Sequence, residues 1–496
     1  MPRDAAPGDA FTGATFGQFP EYLAESGHNV VRVAKASAEA LATADLAVII
    51  NPGEPFTVED RGLLKSFVRS GGGLLILGDH TNIGGIMDVT NEVSAAFGIS
   101  LVFDSAVSED PGWSHTLRIL HPFSGGFDAT AIPVSIGASV GTTAHPLVAP
   151  LLVGRRAVSD PGEVDNASHA YLGDLKFDKG ERYGDVVLAA VRYFGHGKVV
   201  LFGDTSPFQN SAMALSHAFA DALVRWMTNR AGSWRVPVQI LLVFLCFALA
   251  IWLMRLHRVR FASMTALAVA IGMLAGNYVT DPSIHAVTHG PQSALIDVGH
   301  GNVVRWEPLA ARGIEGLTIN LARSGLIPRM TRDPLTDLPA PENSVLISIA
   351  PTRPFSDLEN DALLQWVNQG GRLLITTGWP HAVALHSFLS PLGLSVAPVP
   401  LGSSRPVISA LETAPQLLSA WPLICTSEWI GIGSIDWHGE LYTVIAERTI
   451  GNGSIVVIGD AAVFANENLE GKGFFFAENI EFLEFLLGSR RRGVDG

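Results

Sequence analysis

A 22-residue pattern occurs twice in this chain. PFTVEDRGLLKSFVRSGGGLLI (residues 55–76) aligns without gaps on PFSDLENDALLQWVNQGGRLLI (residues 354–375), and nine positions are identical. A second pair follows in the same order: VVLFGDTSPFQN at 199–210 and IVVIGDAAVFAN at 455–466. Two separated patterns that recur in one order require two copies of one domain, and every other feature has to fit within that duplication.

Each copy carries its own local signals. Thr57 with Asp60, and Ser356 with Glu359, have the spacing of helix N-terminal capping boxes. Leu64, Phe67 and Val68, like Leu363, Trp366 and Val367, then recur at helical spacing. Gly71-Gly72 and Gly370-Gly371 end these helices, where a left-handed residue is needed. The apolar runs LLIL and LLIT follow, as expected of parallel strands buried on both faces.

Around this centre both copies run a helix (FPEYLAESG, 19–27; LTINLARSG, 317–325), a short strand and an apolar strand (DLAVIINP, 45–52; SVLISIAP, 344–351). After a variable region each closes on the Gly-Asp strand and a final helix. Strands alternating with helices predict an α/β fold, a doubly wound parallel sheet of the flavodoxin-like kind in each domain. The expected boundaries are 1–230, 231–287 for an apolar insert, 288–490, and a tail at 491–496.

Two differences stand out. The second copy opens with SALIDVGHGN (293–302), an apolar strand for which the first copy has no counterpart. Without it the first sheet is expected to leave an edge or a gap. Residues 1–20 also lack the basic-then-apolar pattern of a signal peptide. Together these give the expectation that Met1 is an internal start, with an anchor and first strand encoded upstream. The second difference is the insert, VPVQILLVFLCFALAIWLM (236–254) and FASMTALAVAIGMLAGNYVT (261–280). Each is near the roughly 20 residues that a helix needs to cross a bilayer. The expectation is a two-span membrane hairpin. Arg255, Arg258 and Arg260 favour a cytoplasmic loop and extracytoplasmic domains. Arg225, Arg230 and Arg235 ahead of the first span match that count.

Composition supports an apolar reading and excludes others. Apolar residues are 48%, charged residues 16%, and the net charge is −14. Nucleic acid is excluded as a partner, because phosphate contacts need clustered Lys and Arg. The two cysteines, Cys246 and Cys425, form no CxxC or Cys/His cluster, so no structural zinc is expected. No GxGxxG or Walker loop opens a helix, and no cofactor is expected.

These motifs resemble the class I glutamine amidotransferase-like fold. Within it they are similar to membrane-anchored relatives, the auxiliary component of gliding-motility-type ABC transporters and a domain often encoded beside MoxR-type ATPases. The resemblance implies a tethered, generally non-catalytic domain with such subunits as partners. True amidotransferases place a Cys in the turn after the Gly-Gly strand. That turn reads LGDHTN (77–82) and TTGWPH (376–381) here, without Cys or Ser, so glutaminase chemistry is excluded.

Ligands of open α/β sheets bind beyond the carboxyl ends of the strands. That rule selects Asp79, His80, Asn82, Asp204 and Asn210 in the first copy. In the second it selects Asp297, His300, Asn302, His381, Asp460 and Asn466. Gly-Asp and Asn persist in both copies, whereas Asp79-His80 becomes Gly378-Trp379 and Thr205-Ser206 becomes Ala461-Ala462. What is shared serves the fold; chemistry belongs in what differs. The leading expectation is a non-catalytic binding or scaffolding component of an envelope or transporter complex. One alternative is a metal-dependent hydrolase acting on an envelope sugar or peptide, using Asp79, His80 and His115 or His121. Another is a small-ligand sensor.

Overall fold

The computed structural model describes residues 16–109, 113, 116–120, 132–142, 147–229, 293–301, 311–342, 344–471 and 473–488. Counting their described residues, one compact unit comprises Met1–Asn29, Gln209–His217 and Thr288–Gly496, and the other Val30–Phe208 and Ala218–Val287. Each contains one seven-stranded sheet.

In the unit built on the first copy the strands are β1 (Leu46–Ile50), β2 (Gly73–Leu77), β3 (Asp104–Ser108), β4 (Val148–Pro161), β5 (Arg182–Phe194) and β6 (Gly197–Phe202), in the order β1-β2-β6-β5-β4-β3. The short strand Leu117–Ile119 also pairs with β4. The second sheet holds β7 (Ser293–Asp297), β8 (Ile327–Thr331), β9 (Val345–Ile349), β10 (Arg372–Thr376), β11 (Ile430–Trp437), β12 (Glu440–Ile450) and β13 (Gly453–Ile458), in the order β8-β7-β9-β10-β13-β12-β11.

Among the described residues the helices of eight residues or more are α1 (Gln18–Glu25), α2 (Val58–Arg69), α3 (Ile86–Ser94), α4 (Asn210–Thr228), α5 (Glu315–Arg323), α6 (Asp357–Asn368), α7 (Ala382–Leu389) and α8 (Ala477–Leu487). Both capping boxes form: Thr57 Oγ accepts from the Asp60 N–H at 3.1 Å, and Ser356 Oγ from the Glu359 N–H at 3.3 Å. Gly71 and Gly370 take φ of +114° and +123° after α2 and α6. A Cβ on Gly72 or Gly371 would lie 2.3 Å from the ring of Phe67 or Trp366. The Gly-Gly pair therefore makes room for the aromatic that each helix drives against its sheet. β2 is buried along its whole length, as are Leu64, Phe67 and Val68 of α2. Each such aliphatic side chain contributes about 1.5–3 kcal/mol.

The structure corrects the expectation of purely parallel sheets. β1-β2-β6 and β8-β7-β9-β10-β13 are parallel, but β6-β5-β4-β3 and β13-β12-β11 are antiparallel. The variable regions form these added strands. Tight connections such as Phe194–Gly197 reverse the chain at once, whereas a parallel neighbour needs a crossover.

A second correction concerns the short strand expected after α1. Residues 28–36 form no strand, and Val31 and Val33 are 72% and 56% exposed. In the second copy that strand is β8, whose partner is β7. The first copy has no strand equivalent to β7 among its described residues, so this segment has no ladder to join. The five residues of β9 are all buried, while β1 is only partly so and Val48 is 38% exposed.

The two-span membrane expectation is corrected as well. Among the described residues no helix is long and apolar enough to cross a membrane. The stretches 236–254 and 261–280 lie outside the described residues. Apolar length alone does not separate a spanning helix from a buried one, and an integral membrane protein with extracytoplasmic domains is not carried forward.

Candidate functional site

The repeated Gly-Asp turn fastens the sheet to the variable region. A Cβ on Gly203 would sit 2.0 Å from the Ala138 carbonyl oxygen, and one on Gly459 2.0 Å from that of Trp421. The crossing segment bonds at that point: the Ala138 N–H donates to the Gly203 carbonyl, and the Trp421 N–H to that of Gly459, both at 2.7 Å. The aspartate that follows extends the clasp. Asp204 accepts from the backbone N–H of Ser135 at 2.6 Å and of Ser206 at 2.7 Å. Asp460 accepts from Ser419 at 2.9 Å and Ala462 at 2.7 Å.

Both carboxyls are at most 1% exposed, and burial lifts their pKa values, Asp204 to about 7 and Asp460 to about 6. The negative charge of Asp79 raises Asp204 further.

The asparagines behave in the same way. Asn210 Oδ1 accepts from the Gln18 N–H and Asn466 Oδ1 from the Gly316 N–H, each at 2.8 Å. Gln18 and Gly316 stand at equivalent positions, at the start of the first helix of each copy. A donor that lacks an intrahelical partner is thereby satisfied. Asn82 serves α3 similarly, accepting from the N–H of Met87 at 3.0 Å and Asp88 at 3.2 Å.

What differs between the copies forms two separate groups. Beyond β2 and β6, Asp79 accepts from the Thr205 hydroxyl at 3.0 Å and from the His80 N–H at 2.9 Å. The His80 ring stands 3.8 Å from the same carboxylate, and both side chains are partly exposed. The fold thus brings Asp79, His80, Thr205 and Asp204 together. This is a polar cluster of two neighbouring carboxyls, an imidazole and a hydroxyl. His115 and His121 lie outside the described residues, and no group of three or more His, Cys, Asp or Glu suited to a metal occurs among the described ones.

The second group lies at the end of β7. His300 Nδ1 is 3.0 Å from Asp297 and its Nε2 is 3.3 Å from Glu359. Asp297 also accepts from the N–H of Gly299 and the hydroxyl of Ser348, both at 3.0 Å. Burial opposes the charged imidazole, but the hydrogen bond and charge of Asp297, with the charge of Glu359, raise its pKa. Glu359 is likewise opposed by burial, yet the donors of Ser356 and Leu335 and the charge of His300 hold it at about 2.

The role of Glu359 as a partner of His300 was not visible in the sequence, where it reads as a capping residue. The structure shows it doing both. His381 ends the Trp379–His381 turn that follows β10, its pKa lowered by burial. Asn302 lies outside the described residues.

Fold and sites together define a duplicated α/β protein whose strand ends carry backbone-binding polar residues. The chain belongs to the family described as "Domain of unknown function (DUF4350)", whose model matches residues 16–224 and 310–484. That family is described neither as an amidotransferase nor as a transporter family. A comparison with curated proteins gives no match.

Among solved structures the chain is similar to the mmIFT52 N-terminal domain, at 15% identity over 39% of this chain and 97% of that one, with a TM-score of 0.32. It is also similar to a cytoplasmic protein of Salmonella typhimurium LT2, at 18% identity over 43% and 88%, TM-score 0.29. A third is a β-galactosidase from Bacillus circulans sp. alkalophilus, at 11% identity over 48% and 35%, TM-score 0.26. At these scores the likenesses carry no argument.

Proposed function

We propose that this chain is a non-catalytic binding or scaffolding protein, one component of a larger assembly. One observation carries the reading. The polar residues that both copies keep at their strand ends, Asp204 with Asp460 and Asn210 with Asn466, accept from backbone N–H groups in matching ways. These groups build the fold, and the turns after β2 and β10 hold no Cys or Ser to act as a nucleophile. The resemblance to the amidotransferase-like fold, with its non-catalytic auxiliary subunits of ABC transporters and MoxR-type systems, supports an assembly partner of that kind.

A metal-dependent hydrolase is the second reading, favoured by one feature. Asp79, His80 and Thr205 gather beside Asp204 in the first copy, while the second has Gly378, Trp379 and Ala461 in their places. The two readings separate in one assay. The purified protein is incubated with chromogenic ester, phosphate, glycoside and peptide substrates, with and without zinc or manganese. The binding reading expects no turnover. Hydrolysis that disappears in Asp79→Asn and His80→Ala would overturn it.

A further inference from the structure

The open side of β1 has a counterpart within the same chain. In β1 the bonds from Gly73 N–H to the Asp45 carbonyl and from Asn51 N–H to the Leu77 carbonyl, both 2.9 Å, show which residues face β2. Residues of a parallel strand point their backbone groups alternately to either side. Asp45, Ala47, Ile49 and Asn51 therefore serve β2, and Leu46, Val48 and Ile50 direct their N–H and C=O groups outward. β9 follows the same alternation, with bonds from Arg372 N–H to Ser344 and from Ala350 N–H to Thr376. Its outward residues Val345, Ile347 and Ile349 are met by β7, in the register Ala294↔Val345 to Asp297↔Ser348. One edge is thus an interface in the second copy and, among the described residues, unpaired in the first. Val48 on that edge is part-exposed.

We infer that β1 is a docking edge that accepts one parallel, apolar strand from a separate polypeptide, of the chemistry that β7 supplies to β9. The interface already formed by β7 and β9 defines that occupant. It is about five residues long, aligned parallel to β1, and apolar on both faces, as Ala294, Leu295 and Ile296 are buried on both sides of their sheet. Backbone bonds to the outward groups of Leu46, Val48 and Ile50 supply the affinity, and the strand's side chains supply the selectivity. An unprotected apolar edge is otherwise an aggregation hazard. The inference rests on the binding reading above and names the kind of partner that reading requires.

The test uses the whole protein and a fluorescent peptide copying Gln292–Gly299, QSALIDVG, followed by anisotropy. Saturable binding is expected, weakened at least tenfold by Val48→Pro, which removes one outward donor while the bonds to β2 remain. A peptide N-methylated at the positions of Leu295 and Asp297, whose N–H groups face β9 in the chain's own sheet, tests the same bonds without altering the protein, and it should not bind. Absence of saturable binding, or equal binding of the N-methylated peptide, overturns the inference. So does slow amide exchange of Val48 before any peptide is added, which would mean that the chain's own residues fill the edge. None of these outcomes produces substrate turnover, so failure here is distinct from failure of the non-catalytic reading.

Discussion

β1 and β9 hold the same place in their sheets, yet β9 is buried between β7 and β10 while β1, among the described residues, has a neighbour on one side only. The Gly-Asp turns show the opposite relation. There the two halves match closely, with equal 2.0 Å approaches at Gly203 and Gly459 and two backbone donors on each aspartate. Duplication thus separates two kinds of residue. Those under the same packing constraint in both halves have stayed, and those at the edge and in the turn after the Gly-Gly strand have diverged.

The largest expected effect tests the matched part. Gly203→Ala and Gly459→Ala each place a Cβ against a backbone carbonyl, and should cost about 3 kcal/mol or more. Urea denaturation followed by tryptophan fluorescence measures this, and a variant that is tolerated in one half would break the equivalence.

A pH series sharpens the same comparison. The folded pKa values of Asp204 and Asp460 lie near 7 and near 6, above the unfolded value of about 3.9. The native state therefore binds more protons than the unfolded state in that window. Stability should fall as pH rises from about 4, through about 6 for Asp460 and about 7 for Asp204. Asp204→Asn should flatten the later part of the decline; an unchanged profile would contradict it.

His300→Ala probes a contact that the first half lacks among its described residues. The capping carboxylate there, Asp60, lies 3.9 Å from Lys35 instead. Loss of the buried His300 bridge should cost about 2 kcal/mol. Because its folded pKa is raised, that contribution is complete below about pH 6.5 and is lost as pH rises through the folded value. A wild-type-minus-variant difference that grows with pH would refute the bridge. The smallest effect is again a shared one: Thr57→Ala and Ser356→Ala should each cost about 1 kcal/mol, read from the same denaturation curves.

The parts legible in the sequence were those fixed by local rules. Capping boxes, the Gly-Gly ends of α2 and α6, and the buried strands after them follow from spacing within a dozen or so residues. The short strand expected after α1 is absent from residues 28–36, because a strand does not form without a neighbour to bond. The antiparallel strands of the variable regions escaped notice because no repeat marks them. Glu359 was legible as a cap but not as a partner of His300, since that pairing depends on where β7 ends against α6. The apolar insert invited a membrane reading that rested on length and hydropathy alone.

Native-state hydrogen exchange, resolved by residue, tests the central contrast most directly. The amides of Val48 and Ile50 should exchange orders of magnitude faster than those of Ile347 and Ile349, their equivalents in the completed sheet. Equal protection of the two sets would contradict the account, because β1 would then be as fully paired as β9.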